Sequence, residues 1–410
     1  MAKQEDKNLI VALDIGTSKV VVMVGEVGPD GTVDVIGIGS HPSRGLKRGV
    51  VVNIESTVQS IQRAVDQAER MAQCKIYSVY TGISGSHIRG LSSHGVTAIK
   101  NREVTQEDVE RAIDAARVVA IPDDQKILHI LPREFIIDGQ EGIQDPVGMA
   151  GVRLEVRVHI VICAVSAEQN IIKCLERCDL AVDDVILQQL ASSRAVLTQD
   201  EKDLGVCLLD IGGGTTDLAV FTGGAISYTE VIPVAGNQVT NDIAVAFHTP
   251  TASAEALKIK HACCLKQLMR ADEQVDVTGI GERGTRTLSR LELAGVVEPR
   301  YDELFEIALG KLQRSGLENL VAAGVVLTGG SSRMAGVVEL AEEVFHMPVR
   351  LGLPDDVSGM RDIVSNPIYA TAVGLLLFGN DSRPGRPNLA SRSKRKGWLT
   401  RIGSWFQGNF

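Results

Sequence analysis

The feature that most constrains this chain is a short pattern that occurs twice. An apolar run ends in aspartate, and glycine and hydroxyl residues follow: Asp14-Ile15-Gly16-Thr17-Ser18-Lys19 and, 196 positions on, Asp210-Ile211-Gly212-Gly213-Gly214-Thr215-Thr216-Asp217. Residues 9–13 and 206–209 suit buried strands, and each run stops at a carboxylate before a turn that glycine makes easily. At such a turn the amides point outward. With the Thr and Ser hydroxyls they form a cradle for anionic oxygens, while Asp14 and Asp210 can hold Mg²⁺ through its waters and Lys19 adds a point charge. Apolar residues resume at 20–24 and 218–221, so each loop joins two hairpin strands and does not open a helix. That excludes a Walker-type or Rossmann loop. One Asp-x-Gly is an ordinary hairpin turn, but two so far apart indicate a duplicated architecture.

A third element adds to the set. Residues 325–328 read as a strand running into Gly329, Gly330, Ser331 and Arg333, with a helix-like segment over 335–345. Glycines there let backbone lie flat against a nucleoside. Upstream, Gly236, Asn237, Glu255 and Lys258 supply polar groups for a ribose or adenine edge, although Glu255 and Lys258 read alone fit a solvated helix face equally well.

At 410 residues and 44% hydrophobic content, the chain can build two domains with cores of their own. Its longest apolar runs, 158–165 and 370–378, fall short of the roughly 20 residues that a membrane-spanning helix needs. The first eight residues are polar and carry no signal-peptide pattern, so a cytosolic chain is expected. The seven cysteines are expected to be reduced packing thiols, and the pair Cys174 and Cys178 lacks a nearby histidine for a zinc finger.

Charge is distributed unevenly. From residue 380 onward seven basic residues face one acid, so a tail of +6 follows a body of −15. The acidic body argues against nucleic acid as a partner. Residues 380–393 have linker composition. Beyond them Trp398, Leu399, Ile402, Trp405, Phe406 and Phe410 recur at three and four, opposite Lys394, Arg395, Lys396 and Arg401. That is the pattern of an amphipathic helix lying in an anionic lipid surface, where each basic group adds about 1 kcal/mol. A helix docked on the protein's own body or on a partner is the other reading.

Three such loops in this order resemble the actin, Hsp70 and sugar-kinase superfamily. Within it, Thr81-Gly82-Ile83-Ser84-Gly85, residues 206–222 and Glu298-Pro299-Arg300-Tyr301 are similar to the bacterial cell-division family FtsA. The resemblance implies an α/β fold in which duplicated actin/Hsp70-like, ribonuclease-H-like domains enclose a nucleotide cleft, with an inserted subdomain in the first half. The first domain is expected over 8–83, 164–202 and 362–379, with 164–200 read as helices, and the inserted subdomain over 84–163. The second domain is expected over 203–235 and 301–361, with a small lobe over 236–300. In the insertion, Thr105 and Asp108 suit a capping box, and the alternation over 152–160 reads as a half-exposed strand.

The resemblance further implies ATP and Mg²⁺ as ligands, polymerisation of the chain with itself, and tethering of the FtsZ ring at the cytoplasmic face of the inner membrane, at the septum. Later division membrane proteins are expected partners of the inserted subdomain. The small lobe would take the carboxy-terminal peptide of FtsZ, with Arg286, Arg290 and Arg300 as candidate contacts. For hydrolysis, Gln188 or Gln189 falls where actin has a glutamine, and Asp217 where actin has a histidine; a slow ATPase and binding with negligible turnover both fit. Among rivals, an Hsp70 chaperone would need a substrate domain and a sugar kinase a sugar pocket. A PilM-like actin homologue of pilus assembly is the alternative.

Overall fold

The computed structural model describes residues 8–383, apart from 271, 282 and 283. Two sheets carry the duplicated pattern. In the first, Leu9–Ile15 is antiparallel to Lys19–Val27, which is antiparallel to Val33–Pro42. On its other side Leu9–Ile15 runs parallel to Ser78–Ile83, and that strand to Ala181–Leu187. In the second sheet, Val206–Ile211 stands between Thr216–Thr222, antiparallel, and Val325–Thr328, parallel, with Ala225–Ile232 and Val349–Leu351 outermost. Five strands recur in the same order and sense; the first sheet adds Val357–Ser358 beside Val33–Pro42.

Strand parity then decides where the carboxylates go. Side chains alternate across a strand, so Ile10, Ala12 and Asp14 share one face, and Val206, Leu208 and Asp210 share one face of the matching strand. Ile10, Ala12, Val206 and Leu208 belong to a single core that spans both halves, whereas Val11, Leu13 and Ile15 pack in another beside the Ile54–Ala72 helix. Asp14 and Asp210 are therefore turned toward each other across the seam.

Two helices fill that seam, Gln188–Val196 and Ala370–Asp381. They cross in close contact at Gly374, where an added Cβ would lie 1.8 Å from the Ala191 carbonyl oxygen. The Ile54–Ala72 helix uses the same device, because a Cβ on Gly39 would lie 1.8 Å from the Ala64 carbonyl oxygen. Its start is fixed by Asn53, whose side chain accepts from Ser56 N at 2.9 Å.

The insertion is a four-stranded sheet in the order Arg89–Ala98, Arg153–Ala164, Gln125–Ile137, Gln140–Ile143. Helix Gln106–Arg117 covers it with the expected Thr105–Asp108 capping box and closes on Gly95. The half-exposed strand needs correcting. Within Arg153–Ala164 only Arg153 and Arg157 are exposed, while Glu155 and His159 are buried. The strand lies between two neighbours; Glu155 is paired with His94 and Arg153 within the insertion, and His159 meets the second half, its Nε2 2.9 Å from Thr229 Oγ1.

Other differences follow from local chemistry. Between helices Val165–Glu176 and Gln188–Val196 runs the strand Ala181–Leu187, hidden from sequence by the exposed pair Asp183-Asp184 at the sheet edge. Helix Arg290–Ser315 passes without a break through 300, where sequence places a boundary, although it contains Pro299. The proline ring presses on the carbonyl four residues back, which here belongs to Gly295. The small lobe also holds a hairpin, Gln274–Thr278 with Thr285–Ser289. Helix Ala370–Asp381 continues past Gly379 into the expected linker. The amphipathic tail and residues 384–393 lie outside the described residues. Among those described, no helix is long and apolar enough to cross a membrane.

Candidate functional site

The two repeated turns have the same hydrogen bond. Gly16 N donates to Lys19 O at 3.0 Å, and Gly212 N donates to Thr215 O at 2.9 Å. A Cβ on either glycine would meet that same carbonyl, at 2.9 and 3.0 Å. The turns also face each other. A Cβ on Gly213 would lie 1.8 Å from Ser18 Oγ, and one on Gly214 would lie 2.5 Å from Thr17 Oγ1. Only bare backbone lets the two loops approach this closely.

Behind the loops sit three buried carboxylates. Gln188 Nε2 donates to Asp14 Oδ1 at 3.1 Å, Thr371 Oγ1 to Asp210 Oδ2 at 3.2 Å, and Ser84 Oγ to Asp217 Oδ1 at 2.6 Å. Burial pushes Asp14 up to about 7, with Lys19 opposing the rise and Asp210 adding to it. Burial likewise raises Asp210 to about 6 and Asp217 to about 8. Lys19 is itself pushed down to about 8 by burial, and its Nζ lies 4.6 Å from the centre of the Tyr369 ring. Two desolvated acids, Asp14 and Asp210, feel the Lys19 charge, and Asp217 adds a third buried acid beside them, a site that a bound cation would relieve. Asp14 and Asp210, two carboxylates close enough for the charge of one to be felt at the other, are a donor set that fits a hydrated Mg²⁺ held through its waters.

The second turn is the better buttressed. Gly236 N and Asn237 N, opening helix Gly236–Ala246, donate to Gly212 O at 3.1 Å and Gly213 O at 2.8 Å. Ser331 Oγ reaches Gly212 O at 2.8 Å, which joins the third loop to the second. Lys258 Nζ donates to Gly236 O at 3.1 Å and pairs with Glu255 at 2.8 Å. In the third loop Gly329 has φ +87°, and a Cβ there would lie 2.4 Å from Asp210 Oδ1. Gly330 and Arg333 are exposed, and the Arg333 charge is felt at Lys19. Thr215 and Thr216 are buried, with Thr216 Oγ1 donating to Val234 O at 2.7 Å.

The structure separates the two glutamines. Gln188 touches Asp14, whereas Gln189 is fully buried and both its side-chain polar atoms lack a partner among the described residues. The three arginines lie in the small lobe and differ in engagement. Arg300 binds Asp242 through Nε at 2.6 Å and also pairs with Glu303; Arg290 pairs with Glu273. Arg286 is exposed and donates to Phe247 O at 2.5 Å. Sequence reasoning missed Ser84 and Thr371 as partners of the carboxylates. Ser84 was visible only as part of the Thr81–Gly85 motif, and Thr371 carries no local signal.

Comparison with known proteins bears on this geometry. Two family models match, "Cell division protein FtsA" over residues 207–374 and "SHS2 domain inserted in FTSA" over 85–162. Cell division protein FtsA of Pseudomonas aeruginosa is 58% identical over 417 residues, covering all of both chains. The chain belongs to the FtsA family. The Escherichia coli K12 FtsA is 47% identical, again over the whole of both chains. Among solved structures, the PilM-PilN type IV pilus biogenesis complex aligns at a TM-score of 0.66 with 18% identity, covering 90% of this chain and 98% of that one. MreB5 of Spiroplasma citri bound to ADP aligns at 0.54 with 16% identity, covering 90% and 96%. These likenesses show an actin-like fold. The pilus-assembly alternative is set aside, because PilM shares the fold at 18% identity while FtsA proteins match throughout.

The FtsA motif Glu298-Pro299-Arg300-Tyr301 now has a physical role. Glu298 Oε2 accepts from Lys266 N at 2.5 Å, Arg300 grips Asp242, and Tyr301 OH donates to Ser331 O at 2.8 Å. One helical turn thereby ties the small lobe to the third loop.

Proposed function

We propose that this FtsA-family cell division protein binds ATP with Mg²⁺ between its halves, polymerises with itself, and ties FtsZ to the cytoplasmic face of the inner membrane at the septum. The observation that carries the reading is the contact of Thr17 and Ser18 with Gly214 and Gly213, which sets two phosphate turns on one seam. Asp14, Gly16, Thr17, Ser18 and Lys19 would hold the phosphates from one side. Asp210 and residues 212–216 would hold them from the other. Gly236, Asn237, Glu255, Lys258, Gly329, Gly330, Ser331 and Arg333 would surround the nucleoside. Asp14 and Asp210 would hold Mg²⁺ through its waters, and the ion would supply charge neutralisation at the phosphates.

For turnover, Gln188 is the better placed glutamine, since its amide already reaches Asp14 while Gln189 is enclosed. Slow hydrolysis then depends on how Gln188 and Asp217 hold a water. The FtsZ peptide would dock on the small lobe, where Arg286 is the most available of the three arginines. Later division proteins would meet the inserted subdomain.

Membrane residence would come from the tail stripe at Trp398, Leu399, Ile402, Trp405, Phe406 and Phe410. Linking tails in one polymer makes later insertions intramolecular, and avidity then exceeds a single site by about 10² to 10⁴. Liposome co-sedimentation tests this. The full chain should pellet with anionic liposomes, more so with ATP, and should carry FtsZ with it; Trp398→Glu with Trp405→Glu should remain in the supernatant. Equal pelleting of both proteins would sink the anchor, and indifference to ATP would sink the coupling.

A further inference from the structure

The hairpin just before the Ile54–Ala72 helix has no part in the site described so far. Leu46–Lys47 pairs antiparallel with Val50–Val51, Lys47 opposite Val50, so its loop is the two residues Arg48 and Gly49. Both take positive φ, 50° and 78°. Two-residue hairpin loops of this kind favour Asn-Gly or Asp-Gly, because most other L residues are strained in the left-handed region. Here an arginine takes the first position. Its side chain is exposed and, among the described residues, pairs with no carboxylate.

The loop is fixed against the phosphate turn. Gly49 N donates to Thr17 Oγ1 at 3.0 Å, and a Cβ on Gly49 would meet the Ser84 carbonyl oxygen at 2.9 Å. Ser84 in turn donates to Asp217. At the base, Val52 N and Asn53 N both donate to Gly45 O, at 2.8 and 3.0 Å, which ties the hairpin to the cap of the following helix. A backbone nitrogen and the preceding Cα are about 2.4 Å apart, so the Arg48 Cα lies within about 6 Å of the Thr17 hydroxyl. An extended arginine side chain covers that distance.

We propose that Arg48 is a ligand of the nucleotide's terminal phosphate, held over the first phosphate turn by a hairpin that tolerates backbone strain to keep it there. The inference rests on the nucleotide reading given under Proposed function. A guanidinium fork matches phosphate oxygens two at a time, and a diphosphate lacks the group it would grip. Arg48 would thus distinguish triphosphate from diphosphate in cis, by contact with charge that is lost on hydrolysis.

The test titrates fluorescent ATP and ADP analogues, with Mg²⁺, into the full chain and into Arg48→Gly, Arg48→Lys and Lys47→Ala, with melting temperatures alongside. Arg48→Gly relieves the positive φ and should melt no lower than the parent. It should nevertheless bind triphosphate at least about tenfold more weakly, with diphosphate changed less than about twofold, as loss of one charge-assisted pair predicts. Arg48→Lys should fall between, and Lys47→Ala should match the parent. Equal triphosphate affinity in the parent and Arg48→Gly, or a clearly lower melting temperature of that variant, would overturn the proposal. A parent chain that binds neither nucleotide would sink the nucleotide reading itself and this proposal with it.

Discussion

Thr371 Oγ1 stands 3.2 Å from Asp210 Oδ2, so the first turn of helix Ala370–Asp381 is bonded to the carboxylate that precedes the second glycine turn. The bond lies between the halves. Thr371→Val keeps the shape and removes the hydroxyl, leaving a buried carboxylate short of a donor. Nucleotide affinity should fall by about tenfold, the worth of one hydrogen bond to a charged group. Titration with a fluorescent ATP analogue checks this, and unchanged affinity would show that Thr371 serves only packing.

The helix crossing at Gly374 makes a paired prediction. Gly374→Ala drives a methyl into the Ala191 carbonyl and should cost about 1–3 kcal/mol in urea unfolding. Gly310→Ala, within helix Arg290–Ser315, meets nothing nearer than the flexible end of Arg314 at 3.5 Å. That change should stabilise by up to about 1 kcal/mol, because alanine is the better helix former. Similar effects at both positions would mean that the crossing has slack.

Asp217 sets a pH dependence whose sign is determined. Its acid is raised from 3.8 to about 8 by burial, and then by Asp210, so between those values the folded chain holds a proton that the unfolded chain has lost. Stability from this group is full in acid and is lost as pH rises toward 8. Melting temperatures compared at about pH 5 and about pH 8 should fall more in the parent than in Asp217→Asn, which has no proton to lose. Equal slopes would place the titration elsewhere.

The small-lobe arginines should divide by role. Arg300→Ala leaves Asp242 and Glu303 without their cation and should cost about 2 kcal/mol of stability in urea unfolding. Arg286→Ala loses one bond to the Phe247 carbonyl, should cost under about 1 kcal/mol, and should weaken an acidic FtsZ-tail peptide in fluorescence anisotropy. If Arg286→Ala binds the peptide as the parent does, Arg286 is no part of the proposed docking face.

What could be read from sequence follows how local each signal is. The repeated turns at Gly16 and Gly212 were legible because an aspartate at a strand end followed by glycine is a local statement about backbone. The Thr105–Asp108 cap was legible for the same reason. The strand Ala181–Leu187 was not, since Asp183 and Asp184 interrupt its apolar run at the sheet edge. His159 alternates like a surface residue and is buried because Thr229, 70 positions away, folds against it. Thr371 and Ser84 acquire their roles only when the halves meet, and no window of sequence contains both partners.

The crossing of Gly374 on Ala191 has a consequence beyond stability. It lies between the two helices that fill the seam, so the angle at which they cross is referred to a pair of atoms deep inside, remote from any surface that another copy could touch. Copies stacked in a polymer repeat that angle at each step, and a small error there would accumulate into curvature. Filament shape should therefore be sensitive to a buried glycine.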